Sequence, residues 1–288
     1  MKITDSRRRF LYKGKPEWLR LALRGVVSHQ LKSKPFYEMC PYKGGLTLYE
    51  ADLRTVVVPE LNVLFNRIPK SANTSLTASI AALTQTVLPI DDHTYNNTFK
   101  RSYDRLSSLS APDAREVLQH YYCFTLVRNP YSRVLSAFLD KVGKSGIYSG
   151  KFIRKLARQD RRALIGQHGD FGEFIGILEK NNLYTDHHWA PQAAFLTLPL
   201  ERYDFVLRLE SIEHDWRNVV EHVKPDLAAD DSGWHFAGQD PKRRRGAQSK
   251  LHAYYDDNLR DRVYALYRED FELFGFDKAL PAMDTGSN

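Results

Sequence analysis

The sequence has few cysteines and no long hydrophobic run. Cys40 and Cys123 are its only cysteines, so it predicts neither a disulfide framework nor a zinc site built from thiolates. No stretch reaches the ~18 consecutive apolar residues that a membrane-spanning helix needs. Residues 1–30 also lack the apolar core of a signal peptide. Together these absences predict a soluble chain in a reducing compartment, the cytoplasm.

Acidic residues are outnumbered by basic ones. The 288 residues include 42 Lys and Arg against 35 Asp and Glu, which gives a net charge of +7 and a pI near 9.2. This balance favours anionic partners such as nucleotides, nucleic acid, acidic glycans or a membrane surface. Hydrophobic residues at 42% and charged residues at 27% are typical of a folded globular chain rather than a disordered one.

The chain divides by its patterns into three parts. Residues 1–50 form a basic N-terminal extension, in which apolar spacing over residues 17–31 predicts an amphipathic helix. That helix either docks on its own domain or makes peripheral contact with a membrane surface. Residues 51–280 form the main domain, and residues 281–288 form a frayed tail.

Short runs of β-branched and aromatic residues predict the strands of the main domain. They lie at residues 55–58, 63–65, 121–127 and 203–209, and helical spacing follows the later ones. Strands that alternate with helices predict an α/β fold with a mostly parallel sheet.

The first strand-to-helix loop concentrates a cation and several hydroxyls. Lys70 is followed by Ser71, Asn73, Thr74 and Ser75, where a helix N-terminus would offer N–H groups and a positive dipole to a phosphate. No glycine lies between Asn62 and Leu76, so the GxxxxGK[ST] loop of kinases and ATPases is absent. On spacing alone, an ordinary helix start with an incidental lysine fits equally well.

A second loop after residue 127 favours the phosphate interpretation. Arg128 lies at the carboxyl end of a strand, where open α/β sheets bind ligands, and Asn129 with Pro130 predicts a helix start. Ser136 shares a helical face with Arg133, and a guanidinium beside a hydroxyl suits a second phosphate. One nucleotide with phosphates at two ends would explain both loops.

These two loops resemble motifs of a known family. Residues 65–75 resemble the 5′-phosphosulfate loop of the carbohydrate sulfotransferases, and residues 124–138 resemble their 3′-phosphate motif, in the form shared by chondroitin-type and uronyl 2-O-type enzymes. The similarity runs from about residue 62 to residue 277. Further segments match in the family's order: the His-Trp segment at 188–192, the late strand at 203–210 and the terminal helix ending at 270–276.

The resemblance implies a P-loop-like three-layer α/β sandwich with a mostly parallel central sheet. It implies 3′-phosphoadenosine-5′-phosphosulfate as donor co-substrate, a carbohydrate hydroxyl as acceptor and no metal. In such an in-line transfer the protein mainly positions the reactants and offsets charge on the leaving phosphate. The roles carried over are Lys70 at the leaving oxygen, Ser71, Asn73, Thr74 and Ser75 on the 5′ side, and Arg128 with Ser136 at the 3′-phosphate.

The acceptor hydroxyl needs a base, and histidine is the usual candidate near neutral pH. His93 lies between the two loops in sequence, where the resembling families have a histidine near the acceptor, and Asp91 and Asp92 precede it. His188 in the His-Trp segment is the rival. Both are therefore candidate catalytic residues.

The densest basic run is Lys242 to Arg245. Similar enzymes close a late basic segment over the nucleotide, which makes Arg243 and Arg244 candidate donor-binding residues. The run could instead grip an acidic glycan, or it could be a solvated loop.

The predicted function is sulfuryl transfer to a carbohydrate hydroxyl. Similar eukaryotic enzymes are anchored in the Golgi by an N-terminal span; its absence here predicts a bacterial, cytoplasmic enzyme, with the inner membrane surface as another location. The alternatives are sulfation of a small metabolite or lipid and, in a different class, a basic nucleic-acid-binding protein. The nucleic-acid alternative leaves both loops without a purpose and has no recognised module, so no nucleic-acid partner is expected.

Overall fold

The computed structural model describes residues 17–84, 103–142, 170–229, 235–237, 247 and 249–282. Its centre is one sheet with the strand order β1-β2-β3-β4. Each strand coincides with one of the β-branched or aromatic runs that predict it. The strands are β1 at Thr55–Val58, β2 at Val63–Asn66, β3 at Tyr122–Val127 and β4 at Phe205–Arg208.

The sheet is mostly parallel, as predicted. β3 pairs in parallel with both β2 and β4, whereas β1 pairs with β2 antiparallel through a short connection in which Asn62 is left-handed. Because β2, β3 and β4 are parallel, their carboxyl ends meet at one edge of the sheet. The three-layer sandwich stays a prediction.

Helices surround this sheet in the described residues. Those before β3 are α1 (Glu17–Lys32), α2 (Pro35–Met39), α3 (Leu48–Asp52), α4 (Asn73–Leu83) and α5 (Ala111–His120). Those from β3 to residue 229 are α6 (Pro130–Lys141), α7 (Phe171–Ile177), α8 (Ile212–Val223) and α9 (Pro225–Ala229). The last are α10 (Leu251–Tyr254), α11 (Asp257–Leu266) and α12 (Arg268–Phe274).

Both faces of the sheet are buried, which explains why its strands read as nearly continuous apolar runs. Leu64 and Cys123 face one core, and Phe65 and Phe124, whose rings stack at 5.4 Å, face the other. Burying one large apolar side chain stabilises the fold by roughly 1.5–3 kcal/mol. The sheet therefore holds the loops at its carboxyl edge on a rigid base.

The N-terminal helix α1 docks on the domain. Leu31 is buried in the same core as Leu64, Arg24 forms an ion pair with Glu50 at 2.9 Å, and Val26 is 56% exposed. Residues on both sides of residue 50 therefore contribute to one core, and the division of the chain at residue 50 stays a prediction. None of the helices in the described ranges is long and apolar enough to cross a membrane.

Candidate active site

The first loop joins β2 to α4 through residues 67–72. Lys70 and Ala72 both have left-handed backbone, with φ of 68° and 46°. A side chain in this conformation costs on the order of 1–2 kcal/mol. The loop therefore turns at strained non-glycine residues, without the glycines of a standard phosphate loop.

Helix α4 begins without a side-chain cap. Its N-cap residue is Ala72, whose methyl group cannot accept a hydrogen bond. Asn73 and Ser75 are half-buried at the first turn and Thr74 is exposed, while the Oδ1 atom of Asn73 has no partner among the described residues. An uncapped helix start directs backbone N–H groups and the positive end of the dipole outward, which suits an anion.

The side chain of Lys70 reaches the end of α6. Its Nζ lies 2.8 Å from Oδ2 of Asp140, and Nζ of Lys141 lies 2.8 Å from the same oxygen. Burial lowers the pKa of Lys70, and the hydrogen bond to Asp140 opposes that shift. Burial alone would raise the pKa of Asp140, but hydrogen bonds from Lys141 and Lys70 lower it to about 2. The ion pair thus favours the charged form of Lys70, against the effect of burial.

Arg133 supports the backbone of the first loop from inside the protein. Its Nε donates to the carbonyl of Pro69 at 3.0 Å and its Nη1 donates to the carbonyl of Ala190 at 2.8 Å. The side chain is fully buried, and burial lowers its pKa although Asp270 lies near. Arg133 thus lies inside the protein and supports the backbone of the first loop, and its joint contact with Ser136 to a phosphate stays a prediction.

Arg128 lies where β3 ends and brings the two loops together. Its Nε donates to Oγ of Ser132 at 2.9 Å, and its Nη1 donates to the carbonyl of Lys70 at 3.3 Å. Burial lowers its pKa to about 10, which still leaves the guanidinium charged at neutral pH. A charged group that is buried and only partly paired is suited to an anionic ligand.

Helix α6 starts as the sequence predicts. Oδ1 of Asn129 accepts from the backbone N–H of Tyr131 at 3.0 Å, and Pro130 is the first helical residue. The N–H of Asn129 itself donates to Oε1 of Glu210 at 2.8 Å. Ser136 is half-buried further along the helix. The start of this helix is therefore satisfied by the protein itself.

The His-Trp segment supplies a histidine beside the loops. Nδ1 of His188 lies 2.6 Å from Oδ1 of Asp186, and a stretch of π-helix at Leu178–Asn182 precedes the segment. Burial lowers the pKa of His188, the bond to Asp186 opposes this, and the charges of Lys141 and Lys70 lower it further. Hydrogen bonds from His188 hold the pKa of Asp186 below its usual range despite burial. His188 is thus an imidazole that a carboxylate orients, and its burial favours the neutral form.

Comparison with known proteins assigns the family. A family model described as "Sulfotransferase family" matches residues 53–277. The chain belongs to the sulfotransferase family. The match covers the sheet, both loops and the segments that carry His188 and Asp270.

This sulfotransferase is also similar to curated vertebrate proteins. Carbohydrate sulfotransferase 10 of Xenopus laevis is 28% identical over 77% of this chain and 67% of its own length. The human protein of that name is 26% identical over 78% of this chain and 67% of its own. Carbohydrate sulfotransferase 14 of Mus musculus is 31% identical over 41% of this chain and 33% of its own length. No solved structure gives a significant match.

The described residues of this sulfotransferase bring most predicted site residues to one edge of the sheet. Ser71 is buried and its hydroxyl donates to Oε1 of Gln192 at 3.0 Å, so in this structure it faces the protein. His93, Arg243 and Arg244 lie outside the described residues. Those brought together are Lys70, Ser71, Asn73, Thr74, Ser75, Arg128 and His188. Ser136 lies on α6 one turn after Ser132, which accepts a hydrogen bond from Arg128.

Several acidic and amide residues at the site of this sulfotransferase were not predicted from its sequence. Asp186 is two residues before His188, a local signal that could have been found, whereas Asp140 and Gln192 meet the first loop only in the folded chain. Ligand atoms of Asp186, His187 and His188 lie within 4.8 Å of one another, a grouping that could hold a metal ion. Burial and the charges of nearby cations both lower the pKa values of His187 and His188, and those positive charges also disfavour a bound metal ion. The absence of a metal stays a prediction.

Proposed function

We propose that this sulfotransferase moves the sulfuryl group of 3′-phosphoadenosine-5′-phosphosulfate to a carbohydrate hydroxyl. The observation that carries the proposal is the meeting of two cationic loops, in which the guanidinium of Arg128 reaches the carbonyl of Lys70. One nucleotide with phosphates at both ends fits two such loops. The names of the similar vertebrate proteins support the carbohydrate acceptor.

The donor set of this chain fits the phosphates of that nucleotide. On the 5′ side, the uncapped start of α4 offers backbone N–H groups, with Asn73, Thr74 and Ser75 as its first residues. On the 3′ side, Arg128 offers a charged guanidinium and Ser136 a hydroxyl. All of these groups can donate hydrogen bonds to anionic oxygens, as phosphate recognition requires.

Lys70 is proposed to stabilise the leaving group. As the sulfur–oxygen bond to the 5′-phosphate breaks, negative charge develops on that phosphate oxygen, and an ammonium there stabilises the transition state more than the ground state. Asp140 holds the ammonium charged within the site. We expect Lys70 to leave Asp140 for the phosphate when donor binds.

His188 is the base that the geometry favours. The acceptor oxygen forms a bond to sulfur while its proton moves to the imidazole, and adenosine 3′,5′-bisphosphate leaves. Because Nδ1 of His188 bonds Asp186, Nε2 is the nitrogen that would take the proton. His93 stays the rival, and comparing the alanine variants decides between them.

The main proposal and its alternative differ in the acceptor, which is a carbohydrate in the first and a small metabolite or lipid in the second. The relatives' names favour a carbohydrate, acidic or lipid-linked forms included, over a small metabolite or a simple lipid. Family membership favours an enzyme over a nucleic-acid-binding protein. Arg243 and Arg244 stay proposed donor-binding residues, and α1 stays a proposed membrane contact.

Transfer from labelled donor to a panel of acceptors tests the proposal. The panel contains neutral glycans, acidic glycans, a lipid alcohol and a phenol, and the Lys70→Ala variant is the matched inactive control. Label in a carbohydrate product with the wild type alone supports the proposal. Label only in the lipid or phenol contradicts the carbohydrate acceptor, and no transfer from this donor to any acceptor contradicts the proposal as a whole.

The source and location of the protein are further proposals. A bacterial, cytoplasmic enzyme remains our expectation, with peripheral contact at the inner membrane through residues 17–31. Fractionation of producing cells tests it: we expect the protein in the soluble fraction or released from membranes by high salt. Release only by detergent contradicts it.

A further inference from the structure

Gln192 lies behind both phosphate loops and is completely buried, with 0% of its surface exposed. Its Oε1 accepts from Oγ of Ser71 at 3.0 Å and from the backbone N–H of Arg128 at 2.9 Å. Its Nε2 donates to the carbonyl of Arg128 at 2.8 Å. One side chain therefore joins the first loop to the end of β3. In sequence, Gln192 is 121 residues from Ser71 and 64 residues from Arg128.

This bridge needs an amide. Two donors converge on Oε1 and a carbonyl faces Nε2, so the oxygen and nitrogen of Gln192 can occupy only one orientation. Glutamate would keep the acceptor but lose the donor, and leucine would lose both. A buried group left without its partner costs more than the hydrogen bond contributed, so each change should loosen the loops.

The backbone of Gln192 is fixed from the opposite side. Its N–H donates to Oδ2 of Asp270 at 2.8 Å, and the next N–H, of Ala193, donates to Oδ1 at 2.9 Å. Asp270 is fully buried, and burial raises its pKa to about 6 although Arg133 opposes the shift. Helix α12, through Asp270, thus fixes the backbone at Gln192, whose side chain contacts both loops.

We propose that Gln192 is a positioning residue that sets the separation of the two phosphate loops, with Asp270 as its anchor. The inference rests on the proposed function, because it assumes one nucleotide spanning both loops. Each loop also has its own support: Arg133 bonds Pro69 in the first, and Ser132 bonds Arg128 in the second. Losing Gln192 should therefore disturb the distance between the loops more than either loop itself.

Binding of three nucleotides tests this by titration calorimetry: adenosine 3′,5′-bisphosphate, adenosine 5′-monophosphate and adenosine 3′-monophosphate. In Gln192→Leu we expect the bisphosphate affinity to fall about tenfold, the equivalent of about one hydrogen bond. Each monophosphate touches one loop, so its affinity should fall about threefold at most. Gln192→Glu should give the same selective loss.

The control is Tyr37→Phe, which removes a buried hydroxyl that donates to Oδ1 of Asp52 at 3.0 Å, in helices α2 and α3 outside both loops. It should leave all three affinities unchanged. An equal loss for all three nucleotides in Gln192→Leu would mean that Gln192 only supports the fold, which overturns the inference alone. A wild type that binds the bisphosphate no better than the monophosphates overturns the proposed function as well.

A second variant covers the case in which Gln192→Leu does not fold. Ser71→Ala removes only the hydroxyl half of the bridge. We expect the ratio of bisphosphate to 5′-monophosphate affinity to fall about threefold, for one weakened hydrogen bond. If Ser71 instead contacts the 5′-phosphate directly, both nucleotides weaken equally and the ratio is unchanged. That result contradicts the inference.

Discussion

The two strand-to-helix loops differ in how their helices begin. Asn129 caps α6 and its own N–H bonds Glu210, so the protein satisfies that helix start. At α4 the corresponding residue is Ala72, left-handed and unable to cap. One helix start is therefore capped by a side chain, and the other has no side-chain cap.

This difference predicts different roles for the two loops in catalysis and in nucleotide binding. At the first loop, backbone donors and Lys70 can follow the charge that develops on a leaving phosphate. At the second, we expect the side chain of Arg128 to do the binding, because Asn129 already caps the helix start. We therefore expect changes in the first loop to lower turnover and changes in the second to lower affinity or stability.

The His188→Ala substitution should have the largest effect. A positioned base typically contributes ~10²–10⁴-fold, so kcat should fall by that factor while bisphosphate binding stays near wild type. The wild-type kcat should fall as pH drops below the histidine pKa, which lies under its ordinary value of 6.5, and the variant should lose this limb. His120→Ala, an exposed histidine, is the control. Normal turnover in His188→Ala with loss in His93→Ala would move the role to His93.

Next in size is the effect of Lys70→Ala. Removing one donor from a developing negative charge costs ~10²–10³-fold in kcat, and we expect a loss of that order. The exposed lysine Lys32 is the matched control, and Lys32→Ala should keep full turnover. Steady-state rates with saturating donor measure the effect. A variant that changes only the donor KM would show that Lys70 binds the ground state and not the leaving group.

Arg128→Ala should act on affinity. One charge-assisted hydrogen bond contributes about 1.5–3 kcal/mol, so bisphosphate affinity should fall roughly 10- to 100-fold. Affinity for adenosine 5′-monophosphate should change little, because that nucleotide lacks the 3′-phosphate. Arg115→Ala, at an exposed arginine of α5, is the control. Equal losses for both nucleotides would argue against a 3′-phosphate contact.

A pair of asparagines tests the two helix starts directly. Asn129→Ala removes a cap and should lower the free energy of unfolding by about 1 kcal/mol. Asn73→Ala removes no cap, so urea unfolding should be less affected while donor affinity falls. If Asn73→Ala lowered the free energy of unfolding more than Asn129→Ala, the difference between the two helix starts would be contradicted.

The smallest effect concerns acid stability. The pKa of Asp140 is lowered from 3.8 to about 2, so its ionised form stabilises the folded state above pH 3.8, and this is lost as pH falls through 2. Asp140 is half-exposed, so solvent screens the contribution. Asp140→Asn should flatten the decline in unfolding free energy between about pH 4 and pH 2, measured by urea titration. An identical slope would mean that the ion pair contributes nothing.

Local patterns predicted the parts of the fold that local chemistry determines. The strands followed from β-branched runs, and the start of α6 followed from Asn129 and Pro130, because capping and proline geometry act within a few residues. The parallel order followed from alternation of strands and helices. The antiparallel β1 was not anticipated, although the four residues that connect it to β2 are too few for a parallel crossover.

Contacts between distant residues could not be predicted. The spacing of Arg133 and Ser136 correctly gave a shared helical stretch, but it could not say that Pro69 and Ala190 lie opposite Arg133. Gln192 likewise has no local pattern that marks it as a bridge. Such roles depend on which segments the fold brings together.

Titration with adenosine 3′,5′-bisphosphate and with magnesium ATP tests most directly whether two loops hold two ends of one nucleotide. We predict that the wild type binds the bisphosphate at least about tenfold more tightly than ATP, because ATP lacks the 3′-phosphate that Arg128 would contact. We also predict that Arg128→Ala removes most of this preference. Equal affinity for the two nucleotides in the wild type would contradict the proposed site.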